Sequence, residues 1–347
     1  MMAHQTFFRP LVLVAALFSA GSFAAQPVST LHQPVGKGLY ELAYSQTGNA
    51  LYVSGAQGRD EQGGVVYRLD PQDLKTTQTL KSQYKPFGMA LDARTGILYL
   101  GNSRESSLTS IDTRSGEQLK HLVLDSRQRS ETVRPLQIRE IAIDTENDRL
   151  YIPGVGADSV VWVVDAKNLT LLNTIEHTGK LGAGVALDSA RHRLYISNAD
   201  GELVVINTTT QRIEKKEKLI EKGDSALLNI ASDPAGHRLF IADYKQPGVL
   251  VVDTRTDKVI DKITVPESLS VLYNPQRHQL YVTHRQAGTV SIINTQNYQP
   301  EQTVKTPGLP NSLALSADGK NLFVTVKQPA SREKPATAPD EVMRITL

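Results

Sequence analysis

The chain has no cysteine and only one tryptophan in 347 residues. Without a thiol there is no disulfide scaffold, thiol nucleophile, thiolate zinc centre or iron–sulfur cluster. Charge of one sign is also missing: 38 Lys and Arg stand against 36 Asp and Glu, a formal +2 with His neutral. So balanced a chain lacks the bulk footprint of a dedicated polyanion binder. No apolar run approaches the roughly 18 residues that would span a bilayer. What is present, 40% hydrophobic and 21% charged residues, suits a packed core and not a disordered chain.

Residues 1–23 have the three parts of a secretory signal. Arg9 is the basic flank, residues 11–18 (LVLVAALF) form the apolar run, and Ser22-Phe23-Ala24 supplies small residues where a signal peptidase reads. Cleavage is expected after Ala24 or Ala25, giving a signal peptide over residues 1–24 and a single domain over residues 25–347. The expected product is a soluble periplasmic monomer with no cysteine to carry a lipid. The alternative is an uncleaved segment retained as an anchor.

One phrase recurs along the rest of the chain: a strand ending in Asp, Asn or Ser, a polar turn, then Leu-aromatic-aliphatic. Its instances are Leu51-Tyr52-Val53, Leu98-Tyr99-Leu100, Leu150-Tyr151-Ile152, Leu194-Tyr195-Ile196, Leu239-Phe240-Ile241, Leu280-Tyr281-Val282 and Leu322-Phe323-Val324. Their spacings of 47, 52, 44, 45, 41 and 42 residues match a four-stranded propeller blade, and turn residues every 8–12 positions leave no room for helices. The fold class predicted is therefore all-β, a seven-bladed β-propeller of four-stranded blades.

Small inner-strand residues such as Ala90, Ala142 and Ala186 suit a narrow axis. Polar fourth strands suit an outer edge that must not pair with other chains. The last unit breaks the pattern: residues 328–340 read as a mobile loop rich in Pro, Ala and charge, one strand follows, and a fourth is lacking. Residues 28–32, a spare strand before the first inner strand at Tyr40, are expected to complete that blade and close the ring.

Several non-repeating stretches carry a resemblance. They are Val35-Gly36-Lys37-Gly38-Leu39-Tyr40-Glu41, Gly63-Gly64-Val65-Val66-Tyr67-Arg68-Leu69-Asp70, Lys85-Pro86-Phe87-Gly88, Val133-Arg134-Pro135-Leu136-Gln137, Tyr281-Val282-Thr283-His284-Arg285-Gln286-Ala287-Gly288 and Pro310-Asn311-Ser312-Leu313-Ala314-Leu315-Ser316. From about Val35 onward the chain resembles the periplasmic YncE family of propellers with Tyr-Val-Thr-Asn-type repeats. The resemblance implies a soluble envelope protein without established catalytic activity, for which binding of DNA, single-stranded in particular, has been proposed. It transfers no residue-level site.

Strand order places the loops entering each inner strand and those joining second to third strands on one face. That face collects cations and rings: Lys37, Tyr40, Lys85, Phe87, Arg139, Tyr244, His284, Arg285 and Asn311. Guanidinium groups hold phosphate or carboxylate while rings stack bases, so single-stranded DNA or another anionic ligand is the expected partner. Each residue also has a plain structural reading. Arg139 and Arg285 could pair with Glu140 or a neighbouring acid, Tyr40 and Phe87 could pack at the axis mouth, and Glu41, Asp60, Glu61, Glu105, Glu140, Asp200 and Asp243 offset the charge. The alternatives are an envelope protein scaffold and a small-anion binder.

Catalysis has little support. There is no Gly-x-Ser-x-Gly elbow and no paired-His zinc motif, and no cofactor is expected. His284 near Glu140 is the sole hint of a metal-dependent lyase. Trp162 reads as packing between blades, since its repeat equivalents Tyr67, Thr109, Val204, Leu250 and Ser291 vary freely.

Overall fold

The computed structural model describes residues 28–347 apart from Arg59, Arg332, Glu333 and Pro335; the expected signal segment over residues 1–24 lies outside the described residues. Seven antiparallel sheets follow one another along the chain, at 39–82, 86–123, 137–175, 184–218, 227–267, 271–305 and 309–346, here blades 1 to 7. The one helical turn among the described residues is Ser189–Arg191. Blade 3 differs in having its inner strand split into Gln137–Ile138 and Ala142–Asp144. Blade 7 takes its outer strand from the start of the chain: Ser29–Gly36 lies antiparallel to Asp340–Thr346, from Ser29 opposite Thr346 to Gly36 opposite Asp340. The closing strand therefore extends past the expected 28–32.

The repeated triplet explains the ring. Along a strand successive side chains point to opposite faces, and in a blade both faces are covered by neighbours. Tyr52 joins the cluster between blades 1 and 2, whereas Leu51 and Val53 join the one between blades 7 and 1. Seven such clusters exist, each shared by two adjacent blades, the last pairing Leu39, Leu51 and Val53 with Phe323 and Val342. A Leu-aromatic-aliphatic strand is apolar on both sides because it has a neighbour on both sides.

Each aromatic of the triplet faces a small inner-strand partner. Ala43, Ala90, Ala142, Ala186, Ala231 and Ala314 stand opposite Tyr52, Tyr99, Tyr151, Tyr195, Phe240 and Phe323, with Leu272 opposite Tyr281 in blade 6. The hairpin after the inner strand needs a left-handed residue, and His192, His237 and His278 fill it at φ 54°, 54° and 52°. Their place in the sequence is a turn requirement. Trp162 is buried in the cluster between blades 2 and 3, opposite Ile152, as its variable equivalents suggested.

Candidate functional site

The axial cavity is made by a bulge repeated around the ring. In blade 1 Leu39 pairs with Gly55 and Leu42 with Val53, so Tyr40 and Glu41 together oppose Ser54. Phe87-Gly88, Leu228-Asn229 and Asn311-Ser312 do the same in blades 2, 5 and 7, and residues 139–141 occupy the split in blade 3. An extra residue breaks the two-residue alternation, and two consecutive side chains can reach the axis.

Hydroxyls on the second strands hold these bulges in place across blade boundaries. Ser54 Oγ donates to the Phe87 carbonyl (2.7 Å), Ser197 Oγ to Leu228 (2.6 Å), Thr283 Oγ1 to Asn311 (3.2 Å) and Thr325 Oγ1 to Tyr40 (3.0 Å). Each bond is worth about 1 kcal/mol. Between blades 2 and 3 the backbones approach too closely for a side chain: a Cβ on Gly88 would lie 2.5 Å from the Arg139 carbonyl oxygen.

The resulting cavity, about 270 Å³, is lined by Tyr40, Glu41, Arg139, Glu140, Asn229, Ser270, Arg285, Asn311 and Ser312 among others. Ser312 Oγ donates to Glu41 Oε1 at 2.5 Å, and the Leu42 N–H reaches the same oxygen at 3.2 Å. Glu140 accepts the Asn229 amide on Oε1 and the Val185 N–H on Oε2 at 3.2 Å. Loss of solvent pushes the Glu41 carboxyl up to about 7 against the pull of these donors. Burial, and next the neighbouring Glu41, push Glu140 up to about 8. Both shifts favour the protonated form, more strongly at Glu140 than at Glu41, so the acids closest to the axis only partly offset the cations at its mouth.

Arg139 stands where three hollows meet. It lines the axial cavity, a hollow of about 630 Å³ over blades 1 and 2 with Tyr40, Phe87, Ser103, Arg104 and Arg129, and one of about 900 Å³ over blade 3 with Arg127, Arg129, Arg134 and Leu136. Its guanidinium carbon lies 5.8 Å from the Tyr40 ring centre and 5.6 Å from that of Phe87, and the two rings meet edge to face at 4.6 Å. Its donors go to the Tyr40 hydroxyl and to Gln137 Oε1 (2.8 Å). Among the described residues no carboxylate pairs with Arg104, Arg129, Arg134, Arg139 or Arg285. Arg127 by contrast is bound to Asp125 at 2.6 Å.

The expected site residues separate accordingly. Tyr40, Phe87, Arg139, Arg285 and Asn311 come together at the axis mouth, with Arg285 Nη1 donating to Asn311 Oδ1 at 3.0 Å. The salt bridges considered for Arg139 and Arg285 are replaced by hydrogen bonds to neutral groups. Lys37 is exposed, 3.7 Å from Glu61. Tyr244 is half-buried on the same face but lines none of the three hollows.

Two residues turn inward. Lys85 is buried, its ammonium donating to the carbonyls of Ala56 (2.8 Å) and Gly58 (2.7 Å), so it ties the second-to-third loop of blade 1 to blade 2 while its side chain forms part of the wall of the hollow over those blades. Burial, helped by the charge of Arg104, lowers its pKa. Lys85→Ala is expected to cost about 1–3 kcal/mol, the penalty of two carbonyls losing their donor; thermal denaturation checks this. His284 is fully buried, bonded to Ser291 Oγ (2.9 Å) and the Glu267 carbonyl (3.2 Å), and burial lowers its pKa. It reaches neither ligand nor Glu140.

Arg129 escaped the sequence reading. The 52-residue spacing before Leu150, the longest of the set, marked the place, because its extra length is the connection 124–136 that carries Arg127, Arg129 and Arg134. Among the described residues no group of three or more His, Asp or Glu could hold a metal ion.

A seven-bladed ring whose loop face gathers unpaired guanidinium groups and aromatic rings around one axial cavity defines a propeller of the binding or scaffold class. The chain belongs to the YncE family. It is 49% identical over 342 residues to YncE of Salmonella typhi and 48% identical to YncE of Escherichia coli K12, in each case covering 98% of this chain and 97% of the relative. Antigen Lp49 of Leptospira interrogans is 25% identical over 197 residues, covering 53% of this chain and 41% of that protein. Among solved structures, hydrazine synthase of Kuenenia stuttgartiensis superposes with a TM-score of 0.70 at 16% identity over 84% of this chain and 93% of that one, a likeness of fold alone. No family model matches the chain.

Proposed function

We propose that the loop face binds single-stranded DNA in the periplasm, laid along the hollows that run from Arg104 past Arg129 and Arg139 to Arg134. The observation that carries this reading is Arg139 itself, a guanidinium set between the Tyr40 and Phe87 rings with no carboxylate partner and shared by all three hollows. A flexible strand offers phosphates to guanidinium groups and bases to ring faces, which a rigid duplex does not. The bulk charge is small, but the local balance at this groove is cationic, since Lys85, Arg104, Arg127, Arg129, Arg134, Arg139 and Lys327 line the two outer hollows against Asp60, Asp125, Asp158 and Glu176.

Fluorescence anisotropy of a labelled single-stranded oligonucleotide, titrated across salt concentrations, tests it. Replacing Arg104, Arg129 and Arg134 together by Ala is expected to weaken binding about tenfold or more and to flatten the log–log salt slope by about 2, at roughly 0.7 per lost contact. A salt-independent signal, or a triple variant that binds like the native chain, removes this reading.

A further inference from the structure

The axial cavity holds charges of both signs that do not use one another. Glu41 and Glu140 enter it from blades 1 and 3, and Arg139 and Arg285 from blades 3 and 6. Among the described residues no ion pair joins either carboxyl to either guanidinium. Glu41 Oε1 accepts from Ser312 Oγ and the Leu42 N–H, and among the described residues no hydrogen bond reaches Oε2.

We propose that this cavity binds a small zwitterion, an ω-amino acid whose ammonium sits between Glu41 and Glu140 and whose carboxylate meets Arg139 and Arg285. Inner strands run inward from the loop face, so each acid lies one residue further along its strand than Tyr40 or Arg139. The acids form the deeper layer and the guanidinium groups the rim. A ligand with opposite charges separated by about three to five methylenes spans the two layers. The volume of about 270 Å³ equals roughly nine waters at about 30 Å³ each, enough for such a molecule and too little for a nucleotide chain.

Binding displaces protons. The titratable or charged groups facing the two acids are each other, Tyr40, Arg139 and Arg285; the remaining blades present Leu181, Ala183, Asn229 and Ser270 or other neutral groups. An ammonium placed between the acids favours their ionised form, so protons leave as the ligand arrives.

Isothermal titration calorimetry of the mature chain with 4-aminobutyrate, 5-aminopentanoate and 6-aminohexanoate, with butylamine and butyrate as single-charge arms, tests the assignment. At least one amino acid is expected to bind saturably, about tenfold or more tighter than either single-charge arm, with proton release measured in two buffers and tighter binding at pH 8.5 than at pH 6. Glu41→Gln with Glu140→Gln, and separately Arg285→Ala, are each expected to weaken it about tenfold or more. The proposal is overturned if no amino acid binds up to about 10 mM, if butylamine binds as well as the amino acids, or if folded variants bind like the native chain. The groove reading stands or falls separately: the triple variant of Arg104, Arg129 and Arg134 should lose DNA and keep the amino acid.

Discussion

Removing residues 28–35 is expected to lower the unfolding midpoint by several degrees, roughly 2 °C for each kcal/mol lost, and to make the protein self-associate. The strand Ser29–Gly36 is the sole partner on the outer side of Asp340–Thr346, in which Val342, Met343 and Ile345 are buried. Without residues 28–35, six register positions of the last strand lose their partner, and Leu31 and Val35 leave the cluster between blades 7 and 1. The strand's ladder hydrogen bonds and the apolar contacts of Leu31 and Val35 are what hold this edge against the entropy of ordering the segment. The bare edge is a template for another chain.

Asp340 would still hold the seam, since Oδ2 accepts the Leu39 N–H (3.0 Å) and lies 3.4 Å from Lys327 Nζ while Oδ1 accepts the Gln328 N–H (2.7 Å). The ring should therefore open at its outer edge and not at its axis. Thermal denaturation and light scattering read both effects, and a peptide of residues 28–36 added in trans should restore the midpoint. A truncated chain that melts like the full one and stays monomeric would show that closure does not depend on this strand.

Glu140→Gln is expected to stabilise the protein at pH 8.5 and to leave it unchanged near pH 4. The folded carboxyl keeps its proton up to about 8, whereas the ordinary value is 4.5. Between those values the folded state binds more protons than the unfolded one, so stability falls as pH rises through the window and levels off above it. At about 1.4 kcal/mol per pH unit the full shift sets an upper bound of about 5 kcal/mol. Glutamine mimics the protonated acid and removes that slope. Glu41→Gln acts in the same direction over the narrower window from 4.5 to about 7. Denaturant melts at pH 4, 6 and 8.5 decide the matter: a Gln variant that loses stability equally at every pH would mean the carboxyl is ionised and structurally required.

The blade count was readable because each Leu-aromatic-aliphatic strand is a local statement about two-sided burial, repeated seven times. The closing strand was readable because the last unit lacked one. Residues at the axis were only partly so. Tyr40, Phe87, Arg139 and Asn311 fell at the right loop ends, whereas Glu41 and Glu140 were read as acids offsetting the charge of that face, not as side chains buried at the axis. Regular alternation would send Glu41 and Glu140 away from the side their predecessors face, and the bulges cancel that alternation. Lys85 and His284 shared the loop-end positions of true rim residues yet turn inward, because carbonyls and a hydroxyl waiting inside satisfy them better than solvent.

Order along the chain thus settled the number of blades, their strand sequence and the face on which ligand contacts would lie, all consequences of periodicity that a strand carries within itself. Which cations stay unpaired, and which acids hold their protons, was decided only when the inner strands of seven blades met around one axis. Those properties depend on distances between residues of different blades and on how little water reaches between them.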